Sequence, residues 1–522
     1  MVRRVLVSGA WALLLLVSAP LTARSLTLDA IKTMPESIEK DYRIWRYLTS
    51  GHCTKRDAET LIRQARRINT KLAKAYRHIT GHRPPKRTHH RPHPLTPAQR
   101  AKNARNKALV RSLLASKHPL ADWQRLDPAQ QLYLFNRLGR HGRKRLDHAL
   151  DRNTFARLST VRGFDTAIQH ILRERPPKLL ASLHLLPDAH HRMRYETLMQ
   201  VGFFNLLQER PRIAERYFDL AIRATNRRDQ RDRALFWAYK SHRNRRYLDR
   251  LLSSYDLSIY TLAARDIAHQ KYPKTITPKL PKTQRLDRAI YDPIFWAKLK
   301  RKIFDKKTDL KALATHYRSA EAVGYYTYIL SKASRETQHY FPMPYRDLLE
   351  RLPKSRQAIL YAIARQESHF VPASVSASFA LGMMQIMPFL VDHLAKQQHE
   401  KIDYDAMFDP RTALRYANEH MNYLTRWLQH PLFIAYAYNA GIGYTRRLIR
   451  RRHLFAGHGA YEPFLSLERV DNAQARLYGK HVLTNYVIYM NKLGVPLRLS
   501  DLLATLHRPE KTDKFRKRKH HE

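Results

Sequence analysis

The segment Ala364-Arg365-Gln366-Glu367-Ser368-His369-Phe370 places one carboxylate, that of Glu367, at the end of a predicted helix. Ser355 is positioned to cap this helix, and apolar residues recur at helical spacing between Ile359 and Ile363. Glu367 follows Ile363 by four residues, so we expect it on the same inward face. Partial burial disfavours an ionised carboxylate and would leave a proton to donate at neutral pH. A single Glu at a helix end is usually a surface residue, so this interpretation depends on the motifs that follow.

A short turn motif follows the acid, with the sequence Gly382-Met383-Met384-Gln385-Ile386-Met387-Pro388. Gly382 permits a tight backbone path. The Gln385 side chain can donate and accept hydrogen bonds, as a sugar amide or hydroxyl requires. Met384 and Met387 offer an adaptable apolar floor for a sugar ring, with core packing as the alternative for one or both. One acid among neutral polar and apolar groups is suited to cleaving glycosidic bonds.

A third motif ends a later helix. Pro431 begins that helix, which ends at Ala437-Tyr438-Asn439-Ala440-Gly441, where Asn439 and Gly441 favour a turn. The preceding stretch from Arg411 to Gln429 has apolar residues at every third or fourth position, and we interpret it as a structural helix.

These three motifs, in this order, resemble the catalytic domain of the soluble lytic murein transglycosylases. The resemblance covers about Tyr340 to Leu497 at motif level and the upstream half in architecture only. It implies that Tyr438 provides a phenol near the acid. It also implies that Ser376, nine residues after Glu367, contacts substrate. The remaining predicted substrate-binding residues of this region are Met384, Gln385, Met387 and Asn439.

A later run is similar to the last motif of the family, Glu-Thr-Arg-x-Tyr-Val-Lys, which lines the groove. It comprises Gln474-Ala475-Arg476-Leu477-Tyr478-Gly479-Lys480, preceded by Glu468. Tyr478 matches the family's Tyr, which lies by the acid, and Arg476 and Lys480 match as well. Gln474 replaces the family's Glu, which removes a charge. Because Gln can still form hydrogen bonds with a sugar, we expect it to bind substrate with a changed affinity rather than to abolish the reaction.

Three departures from the family follow the acid. Val371 stands before Pro372 where Asn is usual, and Ala377 and Phe379 replace Pro and Gly. Of these, Phe379 bears most directly on the shape of the loop.

The composition favours helices, because 15 glycines in 522 residues is sparse and Leu, Ala, Arg and Lys are abundant. Paired helical patterns between Tyr195 and Ile267 predict hairpins stacked into a superhelix, which alone would be an interaction scaffold. The predicted fold class is mainly all-α, with this superhelix followed, as the resemblance implies, by a lysozyme-like α-rich catalytic domain. The predicted domains are a signal peptide (1–23), a superhelical domain with linker (24–340), the catalytic domain (341–505) and a frayed basic tail (506–522).

The first residues predict export. Arg3 and Arg4 precede an apolar run from Val5 to Val17, which is too short to span a membrane comfortably, and an N-terminal anchor is the alternative. We therefore expect a periplasmic protein with no stable membrane anchor. Cys53 is the sole cysteine, which excludes an intramolecular disulfide, and we interpret it as a small residue that is buried or partly exposed rather than as a catalytic thiol.

The formal net charge of +52 implies attraction to polyanions, unless it reflects a general basic bias of the source. No nucleic acid is expected, because the basic residues are dispersed and no nucleic-acid-binding fingerprint is present. His89, His90 and His93 lie among prolines in a basic loop, Pro84 to Pro94, and are interpreted as solvated. No metal and no cofactor are expected.

The expected reaction needs one acid. The resemblance implies that Glu367 protonates the bond between N-acetylmuramic acid and N-acetylglucosamine and then helps to form a 1,6-anhydro ring. The expected partner is the glycan strand of peptidoglycan, and a monomer is expected. Two alternatives remain open at this point: a lysozyme-like muramidase that uses water, and a catalytically weak scaffold that binds polyanions or cell wall.

Overall fold

The computed structural model describes residues 26–85, 96–281, 288–457 and 459–516. Within these ranges the chain forms α-helices, short 3-10 helices and isolated β-bridges, which confirms the all-α fold class. In the same ranges no helix is both long and apolar enough to cross a membrane. The predicted signal peptide and the histidines of the basic loop lie outside the described residues.

Contacts divide the chain into two compact units, each assembled from two separate stretches. The first unit comprises residues 1–86 and 276–423, and the second comprises 87–275 and 424–522. The predicted boundary at 340–341 lies inside the first unit, and the division into domains at that point stays a prediction.

The helices within residues 28–80 and 293–397 belong to the first unit, those within 97–267 and 431–512 belong to the second, and the helix over 410–425 ends just beyond the boundary. In chain order the described helices are α1 (Leu28–Thr33), α2 (Ile38–Leu48), α3 (Lys55–Gln64), α4 (Thr70–Thr80), α5 (Pro97–Ala115), α6 (Pro119–Gln124), α7 (Pro128–Arg137), α8 (Arg140–Lys144), α9 (Arg152–Ser159), α10 (Phe164–Glu174), α11 (Pro177–Ala181), α12 (Tyr195–Leu207), α13 (Pro211–Arg223), α14 (Arg228–His242), α15 (Arg245–Leu252), α16 (Ile259–Ile267), α17 (Pro293–Phe304), α18 (Leu310–Thr315), α19 (Val323–Ala333), α20 (Arg346–Leu349), α21 (Lys354–Ser368), α22 (Pro388–Gln397), α23 (Pro410–Thr425), α24 (Pro431–Ala440), α25 (Ile442–Ile449), α26 (Phe464–Arg469), α27 (Ala473–Lys492), α28 (Leu499–Leu503) and α29 (Pro509–Thr512).

The predicted helical hairpins between Tyr195 and Ile267 are confirmed. Helices α12 to α16 follow one another with short connections, and α12, α13 and α14 pack in succession. A Cβ atom on Gly202 would lie 2.4 Å from the ring of Phe218, so the close approach of α12 to α13 requires glycine. In α15 the buried residues are Tyr247, Leu248 and Leu251.

Local capping signals explain where several helices begin and end. Thr96 and Gln99 form the predicted capping box of α5, with Pro97 at its first position. The helix predicted over 411–429 ends earlier, at Thr425. The left-handed Gly81 ends α4, and its N–H donates to the carbonyl of Arg77 at 2.9 Å.

The prediction that residues 506–522 form a frayed tail is wrong for the part that the structure describes, which extends to Arg516. Helix α29 is followed by Asp513, which is 4% exposed and accepts a hydrogen bond from Nε of Arg516 at 2.8 Å. Phe515 stacks on Trp427 with ring centroids 5.4 Å apart. This basic segment is ordered because it contributes an aromatic ring and a buried ion pair to the second unit.

Cys53 is free and partly exposed. Burial, together with the nearby carboxylate of Asp57, raises the pKa of its thiol to about 11. The thiol is therefore protonated near neutral pH, where it is a poor nucleophile.

Candidate active site

Glu367 lies in the last turn of α21 and is half-buried. The apolar stripe predicted before it is confirmed, with Ile359, Leu360 and Ile363 each at most 2% exposed. The predicted cap is wrong: α21 begins at Lys354 after Pro353, so Ser355 already lies inside the helix. Pro353 occupies the N-cap position and makes no side-chain capping hydrogen bond, because proline has no side-chain acceptor.

The Gly382–Pro388 turn is tied to the acid helix through hydrogen bonds to backbone carbonyls. Ser368, the residue after the acid, donates its hydroxyl to the carbonyl of Met383 at 2.8 Å. Nε2 of Gln385 donates to the carbonyls of Ser374 at 3.1 Å and Gly382 at 2.9 Å. The Nε2 group of Gln385 therefore holds the turn together, a role that the sequence did not indicate. The Oε1 atom of the same side chain can accept a hydrogen bond from a substrate.

Gly382 is required by both conformation and space. Its φ is 72°, in the left-handed region, and a Cβ atom would lie 1.9 Å from the carbonyl oxygen of Met407. Its N–H also donates to the carbonyl of Ser374 at 2.9 Å. The tight path predicted for this glycine is confirmed.

Replacing Gly382 by Ala is expected to destabilise the protein by about 3 kcal/mol, since it adds left-handed strain to a backbone clash. Gly81→Ala is the matched control in the same unit, because Gly81 has φ 76° and nothing within 4 Å of its Cβ position. That control should cost about 1 kcal/mol. Urea unfolding of both variants measures the difference, and equal losses would show that the Met407 contact can relax.

The loop between the acid and the turn is held by Ser376. Its Oγ accepts from the N–H of Ala380 at 2.9 Å and from that of Ser378 at 3.3 Å. The hydroxyl hydrogen remains available as a donor. Ser376 is half-buried, and its predicted contact with substrate stays a prediction.

Phe379, the departure that bears on the shape of this loop, is accommodated by the N-terminal part of the first unit. It adopts φ 61°, and its side chain is 1% exposed. Its ring lies 5.9 Å from that of Tyr42 and 5.6 Å from that of Trp45, both in α2. Asn69 also donates to the carbonyl of Ala377 at 2.9 Å. Aromatic packing thus compensates for the left-handed backbone where the family has Gly.

The two methionines differ in exposure. Met384 is 0% exposed and Met387 is half-buried. The alternative of core packing therefore applies to Met384. Its side chain lies in the interior and does not form the apolar floor that was predicted for a sugar ring. Met387 immediately precedes α22 and remains available to a ligand.

The other predicted residues lie in the second unit, on two helices that pack together. Tyr438 and Asn439 are half-buried near the end of α24, and Gly441 ends that helix with φ 84°. In α27, Tyr478 is 6% exposed and Gln474 is exposed. A Cβ atom on Gly479 would lie 2.3 Å from the Tyr436 ring, so α24 and α27 approach closely beside Tyr478.

Glu468 and Lys480 form a buried polar cluster rather than lining a groove. The Glu468 side chain is 1% exposed and that of Lys480 is 8% exposed, with Nζ 2.8 Å from Oε2. The carboxylate also accepts from Tyr260 at 2.6 Å, Trp237 at 3.0 Å and Arg233 at 2.9 Å. The cluster joins α26 and α27 to α14 and α16.

Electrostatics keeps this carboxylate ionised. Burial alone would raise the pKa of Glu468, but Arg233, Lys480 and the hydrogen bonds from Lys480 and Tyr260 outweigh that penalty and hold the pKa well below its usual range. Arg476 also has a structural role, since it donates to the carbonyl of Val470 at 2.7 Å. From the motif match alone, the structural roles of Glu468, Arg476 and Lys480 could not be distinguished from a role in lining the groove.

Other carboxylates near the acid in sequence have structural partners. Asp392 accepts from the Tyr404 hydroxyl at 2.9 Å, and Asp409 accepts from the N–H of Thr412 at 2.8 Å at the start of α23. In the ranges that the structure describes, no group of three or more His, Cys, Asp or Glu side chains is arranged to hold a metal ion.

Residues 350–457 match the family model described as the Transglycosylase SLT domain. This segment is an SLT transglycosylase domain. The matched range includes Glu367, the Gly382–Pro388 turn and Tyr438. Gln474 and Tyr478 lie after its end.

Known proteins similar to this chain include the soluble lytic murein transglycosylases of Salmonella typhimurium and Escherichia coli K12. Each is 28% identical over 173 residues, which is 32% of this chain and 26% of the relative. The chain thus matches about a quarter of the length of these curated relatives. The structure of the 70 kDa soluble lytic transglycosylase of Escherichia coli aligns over 92% of this chain and 84% of its own, with 17% identity and a TM-score of 0.43.

Proposed function

We propose that the protein is a lytic transglycosylase that cleaves the β-1,4 bond between N-acetylmuramic acid and N-acetylglucosamine in peptidoglycan and leaves a 1,6-anhydro end. The observation that carries this proposal is the position of Glu367. It is half-buried at the end of α21, directly before the serine that anchors the Gly382–Pro388 turn, inside the SLT domain match. The names of the relatives support the same substrate.

In the proposed reaction Glu367 acts first as acid and then as base. Its proton passes to the bridging oxygen while the N-acetyl carbonyl of the muramic sugar stabilises the developing positive charge. The resulting carboxylate accepts the proton of the C6 hydroxyl, whose oxygen bonds to C1 and closes the anhydro ring. The substrate supplies the nucleophile, so a second catalytic carboxylate is not needed, in contrast to most glycosidases. The partners of Asp392 and Asp409 agree with this scheme.

We also infer that the protein works in the periplasm, where peptidoglycan is accessible. The basic start and the apolar run from Val5 to Val17 support export.

Mass spectrometry of purified peptidoglycan digested by the protein tests the proposal. Anhydromuropeptides are the expected products. Reducing-end muropeptides would instead show a muramidase that uses water. Binding to peptidoglycan without any released product would favour the wall-binding scaffold.

A further inference from the structure

A concave pocket of about 570 Å³ lies within the second unit, between α7, α8, α10 and the start of α11. Phe135 and Ile171, each 4% exposed, contribute apolar surface to its lining together with Pro176 and Pro177. Its volume is in the range of sites that hold small molecules or short peptide segments.

The charged residues of this pocket are nearly all cationic. Arg140, Lys144 and Arg175 are exposed, and among the ion pairs of the described residues none involves these three side chains. His141 is also exposed at the pocket. Cations that line a cavity and are not paired with a protein carboxylate are suited to bind an anionic ligand.

The one carboxylate in the lining does not offset these cations, because it is already paired. Glu174 receives hydrogen bonds from Nε of Arg143 at 2.8 Å and from Nη2 at 2.6 Å. The lining therefore has four permanent cations and one carboxylate, a net charge of +3 with its histidines neutral. This bidentate pair is 8% and 12% exposed and fixes the wall of the pocket.

We propose that this pocket binds the carboxylates of a peptidoglycan stem peptide. The inference rests on the proposed function, which brings the protein to a polymer whose peptides carry several carboxylates. Arg140 and Arg175 present guanidinium groups that match carboxylates, and the apolar lining can cover the methyl and methylene groups of the same peptide. A bare phosphate would leave that apolar surface uncovered, and an extended polyanion would fit a flat patch better than a concavity.

Isothermal titration of the full chain with N-acetyl-L-Ala-γ-D-Glu-meso-diaminopimelic acid, a tripeptide with three carboxylates, tests the proposal. We expect saturable binding at low salt that weakens as ionic strength rises. The triple variant Arg140→Gln, Lys144→Gln, Arg175→Gln should bind about tenfold or more weakly. A control triple variant, Arg250→Gln, Arg426→Gln, Lys511→Gln, removes the same charge from exposed positions of the second unit and should bind like the wild type.

Three outcomes would overturn this proposal: no saturable binding of the tripeptide, an equal loss in the control variant, or orthophosphate binding as tightly as the peptide. The titration also separates this site from the proposed reaction. A protein that releases anhydromuropeptides without binding the tripeptide would refute the pocket alone. A protein that binds the tripeptide and loses binding in the pocket variant, yet releases no anhydromuropeptides, would refute the proposed reaction alone.

Discussion

Replacing Glu367 by Gln is expected to lower the release of anhydromuropeptides by at least about 1,000-fold. The amide keeps the size of the side chain and its hydrogen-bonding capacity but cannot transfer a proton. In the proposed scheme the same group acts in both steps, so its loss removes acid and base together. Quantitative mass spectrometry of digested peptidoglycan, with initial rates for wild type and variant, measures the effect.

The control for this substitution is Glu419→Gln, which removes an exposed carboxylate from α23 in the same unit. Its rate should stay within about twofold of the wild type, because Glu419 has no role in the proposed reaction. Thermal unfolding should be nearly unchanged for both variants, since each is isosteric and neither position is fully buried. Retention of activity by Glu367→Gln would require a different acid and would remove the basis of the proposed mechanism.

Local signals in the sequence were sufficient to predict much of the fold. The capping box at Thr96, the proline at the start of α24 and the spacing of apolar residues in α21 each act within one or two turns of helix. Such signals depend on residues that are neighbours in the chain, and they predicted helices that the structure confirms. The glycine requirement at 382 was likewise visible, because few other residues adopt its backbone conformation.

Contacts between distant parts of the chain were not predictable in the same way. Phe379 departs from the family pattern, and its partners Tyr42 and Trp45 lie more than 300 positions earlier. Gln385 and Ser376 were expected to face substrate, but each also holds nearby backbone groups. A motif match identifies residue types at given positions, whereas the partner of each side chain depends on the tertiary fold.

Replacing Glu468 by Gln is expected to destabilise the second unit by about 3–5 kcal/mol. The substitution leaves the side chains of Lys480, 8% exposed, and Arg233, 16% exposed, without their buried counter-charge. It also introduces an amide NH₂ among groups that donate hydrogen bonds. Helices α26 and α27 should loosen first, and hydrogen exchange of their amides, measured beside urea unfolding, locates the change.

The matched control is Glu196→Gln, because Glu196 contacts the same Arg233 at 3.2 Å but is 56% exposed. That substitution should cost less than about 1 kcal/mol. The pH dependence gives a second criterion. Since the folded pKa of Glu468 is lowered, its stabilisation is complete above the unfolded value of about 4.3 and is lost as pH falls through the folded value. The difference in unfolding free energy between wild type and Glu468→Gln should therefore shrink as the pH falls below about 5. Equal costs for the two substitutions would show that burial of the carboxylate does not determine its contribution.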